Sequence, residues 1–403
     1  MNARAEPSAA TALLPEVVRR RAGITLVALE TLPTLAIAAL VPVLPELFKR
    51  FGNVPHGELL VPMVLTIPAL CVALFASLLG LATDRFGRRR VLLPSLAAFA
   101  LFGLGPMFID GLQGILATRF VVGIAEAGIL TVGNALMGDY FGVEERRRWL
   151  ARQTIVGPIA TFAYVAFGGW LGSWSWRGPF LAYLMGLVVL AAGIWTLPEP
   201  PRSPRMLSQQ RSIERFPWRP AILVGSVTLL VSTIFFVQNV QQGRIFGDLG
   251  ADNPTLIAWL VNAAGIGSVI GGIVYRYLRV PVRQYLALIF AVYGIGDCGL
   301  ALVSNYLQAI PFDALGAFAS GLSIPVLIDW ALSRFPEAHR GRGMGLWAAA
   351  FFIGEFCSPP AVALVGHGRW SFLQSVGVIG LFCVACAAIA AWPARRPLAA
   401  LPR

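Results

Sequence analysis

Charge is scarce in this chain. Asp, Glu, Lys and Arg make up only 13% of 403 residues, far below what a soluble domain of this length needs to cover its surface. Histidine is nearly absent: three residues, His56, His339 and His367, fall in loops far apart in sequence, which leaves no metal constellation and no nucleophile with a base beside it in an apolar stretch. The five cysteines, Cys71, Cys298, Cys357, Cys383 and Cys386, lie inside apolar runs and read as reduced, small apolar fillers. Cys383 and Cys386 have the spacing of a redox or metal pair but no second pair to complete a site. No G-x-x-x-x-G-K-[ST] phosphate loop occurs, so ATP is not the internal energy source. An enzyme and a cofactor are therefore not expected. The net charge of +12 suggests nucleic acid, but the basic residues are scattered between apolar runs and form no single patch, so no nucleic-acid partner is expected.

What the chain has in abundance is hydrocarbon. Its composition is 57% hydrophobic with a mean hydropathy of +0.71, and at about 20 residues per span it holds roughly a dozen membrane helices. The runs place them near 22–47, 59–83, 90–109, 113–138, 150–172, 178–197, 220–242, 254–276, 284–304, 307–332, 343–366 and 370–392. The fold class is an all-α membrane protein of twelve transmembrane helices in two pseudo-symmetric six-helix bundles. Residues 1–197 form the N-terminal bundle with a short tail, 198–219 a linker rich in proline and charge, and 220–403 the C-terminal bundle with its own short tail.

Two observations support the duplication. Phe141 in a Tyr-Phe-Gly-Val-Glu-Glu-Arg loop aligns with Phe335 in Arg-Phe-Pro-Glu-Ala-His-Arg, and Trp176 aligns with Trp370, both at one gapless offset of 194 residues (335 − 141; 370 − 176), as repeat-built transporters require. Twenty-six of the 32 Lys and Arg fall in the termini and in alternate loops, five in the opposite loops, and one, Arg119, inside a span. By the positive-inside rule both termini are cytoplasmic, and a multi-pass protein of the inner (plasma) membrane is expected.

The most informative stretch is Gly80-Leu-Ala-Thr-Asp84-Arg85-Phe-Gly87-Arg88-Arg89-Arg90. An acid, two glycines and four arginines cannot lie in hydrocarbon, so the stretch is a tight cytoplasmic hairpin. Gly80 permits close helix approach, Gly87 suits positive φ, and Asp84 can pair with a nearby arginine or face a helix N-terminus. This pattern closely resembles the loop motif of the major facilitator superfamily of secondary transporters, in the manner of its drug/proton antiporters. Arg119-Phe-Val-Val-Gly123 resembles the family's fourth-helix motif, with Val122 in place of its usual glutamine, and Gly157-Pro158 partly matches its antiporter motif as a kink in the fifth helix.

Five acids sit inside apolar runs: Glu30, Glu126, Asp297, Asp313 and Glu355. Ionisable groups at that depth are costly unless paired, neutral or facing water, and carboxyls in low dielectric load and release protons near neutral pH. Glu126 lies two turns after Arg119 on one helical face, so the two are expected to bracket one aqueous cleft, and at the repeat offset Arg119 corresponds to Asp313. The resemblance implies that the first, fourth, seventh and tenth helices line a central cavity. That promotes Glu30, Arg119, Glu126 and Asp313, leaves Glu355 as a further proton-coupling candidate, and demotes Asp297 to a peripheral helix. Substrate-cavity candidates are Tyr164, Phe235, Phe236, Gln238, Asn239, Gln241 and Gln242, whose aromatic and amide groups suit an amphipathic guest.

The expected function is proton-coupled export of a small amphipathic compound, neutral or cationic, by alternating access. The protein is expected to act as a monomer in the lipid bilayer, with the proton gradient as the energy source. A proton symporter importing a sugar or organic acid uses the same acids equally well, and a receptor or lipid scramblase stands as a reading from another class.

Overall fold

Proline decides where the first span breaks. A computed structural model describes residues 16–200, 216–366 and 369–392, and in it the first span, α1 (Glu16–Phe51), is not one straight helix. It runs helically to Glu30, resumes from Leu32 to Ala38, tightens into a 3-10 turn at Val41–Val43 and resumes from Leu44. Pro33, Pro42 and Pro45 withhold backbone donors along this stretch, so the hydrogen-bond ladder must be re-made in short pieces. The helix also starts at Glu16, six residues before the expected 22, so residues 16–21 belong to the span and not to the tail. The tail before residue 16, His367 and most of the 198–219 connector lie outside the described residues.

The remaining spans are α2 (Gly57–Phe86), α3 (Arg88–Met107), α4 (Leu112–Tyr140), α5 (Val143–Gly172), α6 (Gly178–Thr196), α7 (Trp218–Asp248), α8 (Pro254–Tyr277), α9 (Val282–Leu300), α10 (Tyr306–Arg334), α11 (Arg340–Gly366) and α12 (Phe372–Ala391). Among the described residues, eleven are long and apolar enough to cross a membrane. The 19-residue α9, with Arg283 and Asp297 in its length, is the twelfth. Large apolar side chains such as Leu81, Trp195, Leu302 and Ile389 stay exposed on outer surfaces, where lipid replaces water as the solvent.

The packing repeats. α2 packs on α4, α3 on α6 and α1 on α5 in the first half; α8 packs on α10, α9 on α12 and α7 on α11 in the second. The halves meet through α2 with α11 and α5 with α8, pairs that exchange under the same two-fold relation. Small residues let these helices touch: a Cβ at Gly123 would strike the Pro68 backbone of α2, and one at Gly168 would land on the Ala39 carbonyl of α1. This is the small-residue packing that helices use where lipid removes the hydrophobic drive. Gly157 has nothing within reach of an added Cβ, so the Gly157-Pro158 kink is not a packing contact here.

Candidate functional site: buried carboxyls between the two ends of the helices

The hairpin between α2 and α3 is held by more than its own arginines. Asp84 pairs with Arg88 at 2.9 Å, and the Arg88 Nε also donates to Asp139 at the end of α4, at 3.0 Å. Gly87 takes a φ of 106°, the left-handed region that glycine occupies freely. The backbone N–H groups of Arg88 and Arg89 donate to the two carboxylate oxygens of Glu199, at 2.6 and 2.8 Å. Glu199 thereby caps the α3 N-terminus, where the helix dipole favours an anion. Tyr140 donates to the Pro198 carbonyl and Arg89 to the Ile194 carbonyl, so the chain leaving α6 is fastened to the hairpin. Arg85 stacks on Phe86, and Gly80 faces Thr131 of α4.

The opposite end joins the two halves. Thr255 of α8 donates to the Gly169 carbonyl of α5, Asn262 to the Phe162 carbonyl, and Phe162 stacks edge-on against Trp259. Arg244 of α7 meets Glu58 of α2 at 2.7 Å, with its guanidinium over Phe48 at 4.0 Å and Phe372 at 4.2 Å.

Between these ends lie the intramembrane ionisable groups. Glu126 is buried in α4, with one carboxyl oxygen lacking a hydrogen-bond partner, and lies within electrostatic reach of Glu355 on α11. Each is contributed by a different half. Glu30 of α1 is half-buried against Gly133 of α4. Gly133 is seven residues beyond Glu126, so the two acids share one α4 face two turns apart. Asp313 of α10 is fully buried, and its two oxygens accept from the side-chain amides of Gln238 and Gln242 at 2.8 and 3.0 Å. Gln238 also donates to the Asp313 carbonyl.

Arg119 is placed differently from the expected polar lining. Its side chain is fully buried inside the N-terminal bundle, where Nη2 donates to the Phe102 and Gly103 carbonyls of α3, both at 3.0 Å. The guanidinium stacks over Tyr183 at 4.8 Å and Phe180 at 5.2 Å. The end of α3, being a 3-10 turn, frees the carbonyls that Arg119 takes. Arg119 nonetheless stays within electrostatic reach of Glu126, while Asp313 lies buried in the C-terminal bundle under its two amide donors. Glu355, which the repeat offset did not single out, is a second group within electrostatic reach of Glu126.

The cavity candidates divide likewise. Phe235 and Phe236 form an aromatic cluster with Phe351 of α11, Asn239 is half-buried and donates to Ser320 at 2.9 Å, and Tyr164 pairs with Thr31 of α1 at 2.7 Å. Gln241 is buried with its amide nitrogen unpaired. Glu199, Asp139 and the Arg244–Glu58 pair were not anticipated. The signal that could have found Arg244 is a basic residue near the C-terminal end of α7, four residues before Asp248, with which it also pairs.

A sequence profile described as the Major Facilitator Superfamily matches residues 28–249 and 229–403. A class C tetracycline resistance protein from Escherichia coli is 26% identical over 386 residues, covering 89% of this chain and 94% of that protein. A multidrug resistance protein, MdtM, from Salmonella typhimurium is 27% identical over 279 residues, covering 63% of this chain and 65% of its own length. Among solved structures, a D-xylose-proton symporter superposes with a TM-score of 0.72 at 16% identity, over 92% of this chain and 97% of that one. A bacterial homologue of the human lysosomal transporter Spinster, inward-facing and occupied, gives 0.71 at 14%, over 94% and 93%. The profile spans both helical halves and the hairpin with its left-handed glycine: this chain belongs to the Major Facilitator Superfamily of membrane transporters.

Proposed function

We propose that this transporter exports small amphipathic organic compounds, neutral or cationic, in exchange for protons, and that the carboxyl pair Glu126 and Glu355 is where the proton couples to the movement of the halves. The observation that carries this reading is one acid buried in each half, Glu126 on α4 and Glu355 on α11, with a Glu126 oxygen left without a hydrogen-bond partner. Two like charges in a site of low dielectric repel strongly, and adding a proton removes the repulsion. Protonation therefore favours halves drawn together around the pair, and deprotonation favours halves spread around a cationic or water-filled space. A ligand shifts such an equilibrium only by its differential affinity for the two states, and a proton bound between the halves has that differential by construction.

The cluster of Phe235, Phe236 and Phe351 supplies an apolar wall on the same side, which suits a hydrophobic guest better than a sugar. Drug-resistance proteins among the relatives support export. With the hairpin taken as cytoplasmic, the orientation the arginine distribution supports, the Thr255–Gly169 and Arg244–Glu58 contacts join the halves at the outer face. The test is uptake into everted membrane vesicles under an imposed pH gradient, with tetracycline and ethidium as probes. Export in the cell appears as accumulation in everted vesicles that collapses with a protonophore. Accumulation only in right-side-out vesicles contradicts the proposed direction and favours proton-coupled import.

A further inference from the structure

Asp297 lies in α9, the helix a family pattern would make peripheral, yet it is only 1% exposed and neither carboxyl oxygen has a hydrogen-bond partner. It sits under α12, where a Cβ at Gly380 would meet the Asp297 Cβ at 2.9 Å. On its other side α9 touches α10 closely: a Cβ at Gly296 would meet the Phe312 carbonyl at 2.8 Å, and Gly299 lies against the Phe312 ring. Phe312 precedes Asp313, and the two aspartates are within electrostatic reach. The titratable groups facing Asp297 are Tyr293 and Cys298 on α9, Asp313 on α10 and Cys383 on α12; none is basic.

The two acids are treated very differently. Asp313 receives two amide donors, which stabilise an anion. Asp297 receives none, and an ionised carboxylate buried without a partner costs many kcal/mol. We propose that Asp297 and Asp313 form a proton-binding unit in the C-terminal half, sharing one proton that Asp297 holds while Gln238 and Gln242 clamp Asp313. The clamp belongs to α7 and the aspartates to α9 and α10, so any shift of α7 against α10 releases it. Once that movement brings the two carboxyls within hydrogen-bond reach, the proton passes from an Asp297 oxygen to an Asp313 oxygen: one O–H bond breaks, one forms, and the pair keeps a net charge of −1. A hydroxyl chain runs beside it, from the half-buried Asn239 through Ser320 to Tyr293, with both links at 2.9 Å. Tyr293 is one turn from Asp297 on the same helix face, so this chain links the neighbourhood of the pair to the half-buried Asn239 of α7.

This unit rests on the proton-coupled reading but is distinct from Glu126 and Glu355, and its test does not require transport. Purified protein in lipid nanodiscs is titrated with acid and base while infrared difference spectroscopy follows the carbonyl band of protonated carboxyl groups. Asp297→Asn should remove one component of that band, Asp313→Asn should leave the component but shift its titration, and replacing Gln238 and Gln242 together by Leu should move the component onto Asp313, so that it survives in an Asp297→Asn background. If Asp297→Asn does not yield a monodisperse protein, Asp297→Glu should change the frequency of the same component. A spectrum unaltered by every Asp297 substitution overturns the proposal, whatever the vesicle assays show. Failure of proton-driven uptake with the component intact overturns the coupling role and not the site.

Discussion

Arg244 of the C-terminal half and Glu58 of the N-terminal half meet at 2.7 Å, with Phe48 and Phe372 bracketing the guanidinium. The Glu58 side chain is 65% exposed and Arg244 only 14%, so the ion pair alone is worth at most about 1 kcal/mol, while the ring contacts on a partly desolvated arginine add roughly 1 to 2. Arg244→Ala should therefore shift the balance between the two facing states by about tenfold to a hundredfold toward opening at that end. Labelling rates of a cysteine introduced near Pro254, in an otherwise cysteine-free background, check it. Unchanged labelling would mean that α5 and α8 hold this end without the contact.

The Glu199 cap makes a second prediction. Glu199→Gln loses a charged acceptor at a helix N-terminus and should cost about 1 kcal/mol locally, whereas Asp84→Asn breaks an exposed pair worth a few tenths to about 1 kcal/mol. Hydrogen exchange over peptides covering 84–92 should speed up more in Glu199→Gln than in Asp84→Asn. The reverse order would return the hairpin's anchoring to Asp84.

Arg119 gives a prediction about stability. Lysine keeps the charge but cannot reach two carbonyls while lying flat on Tyr183 and Phe180. Arg119→Lys should lower the melting temperature of the purified transporter, reflecting a loss of about 1 to 3 kcal/mol, and leave proton coupling in the folded fraction. Lost coupling at an unchanged melting temperature would put Arg119 in the proton path.

Gly169 tests the seam between the halves. An added Cβ there would collide with Ala258 and with the Pro254 carbonyl, so Gly169→Val should separate α5 from α8, lower thermal stability and raise accessibility at the Thr255 end of the seam. Gly157→Ala, with open space around it, should change neither. A Gly157→Ala variant as damaged as Gly169→Val would contradict the packing described here.

Much of the fold could be read from hydropathy because lipid imposes a simple rule: every span must satisfy its own backbone. The run lengths therefore located the helices, and the arginines marked the hairpin. The break in α1 was less visible, since prolines predict a kink but not how the ladder is rebuilt. Side-chain direction was less visible still. Helical periodicity put Arg119 and Glu126 on one face, but the carbonyls freed by the 3-10 turn that ends α3 draw the guanidinium into the bundle. Glu199 sat in a Pro-Glu-Pro-Pro stretch that reads as a linker, and its partners are backbone N–H groups more than a hundred residues earlier, which no local pattern encodes. Asp297 was set aside on a helix position typical of the family, whereas its two unpaired oxygens single it out in the structure.

The central claim is that Glu126 and Glu355 couple proton binding to the closing of the halves. Its most direct test is proton entry into proteoliposomes, followed by an internal pH dye while a tetracycline gradient is imposed, for the native protein and for Glu126→Gln, Glu355→Gln and the double variant. The account predicts that the native protein acidifies or alkalinises the interior in step with the tetracycline gradient and that each single variant, and the double, abolishes this response while still folding and reaching the membrane. Proton movement of native size in the double variant would contradict it.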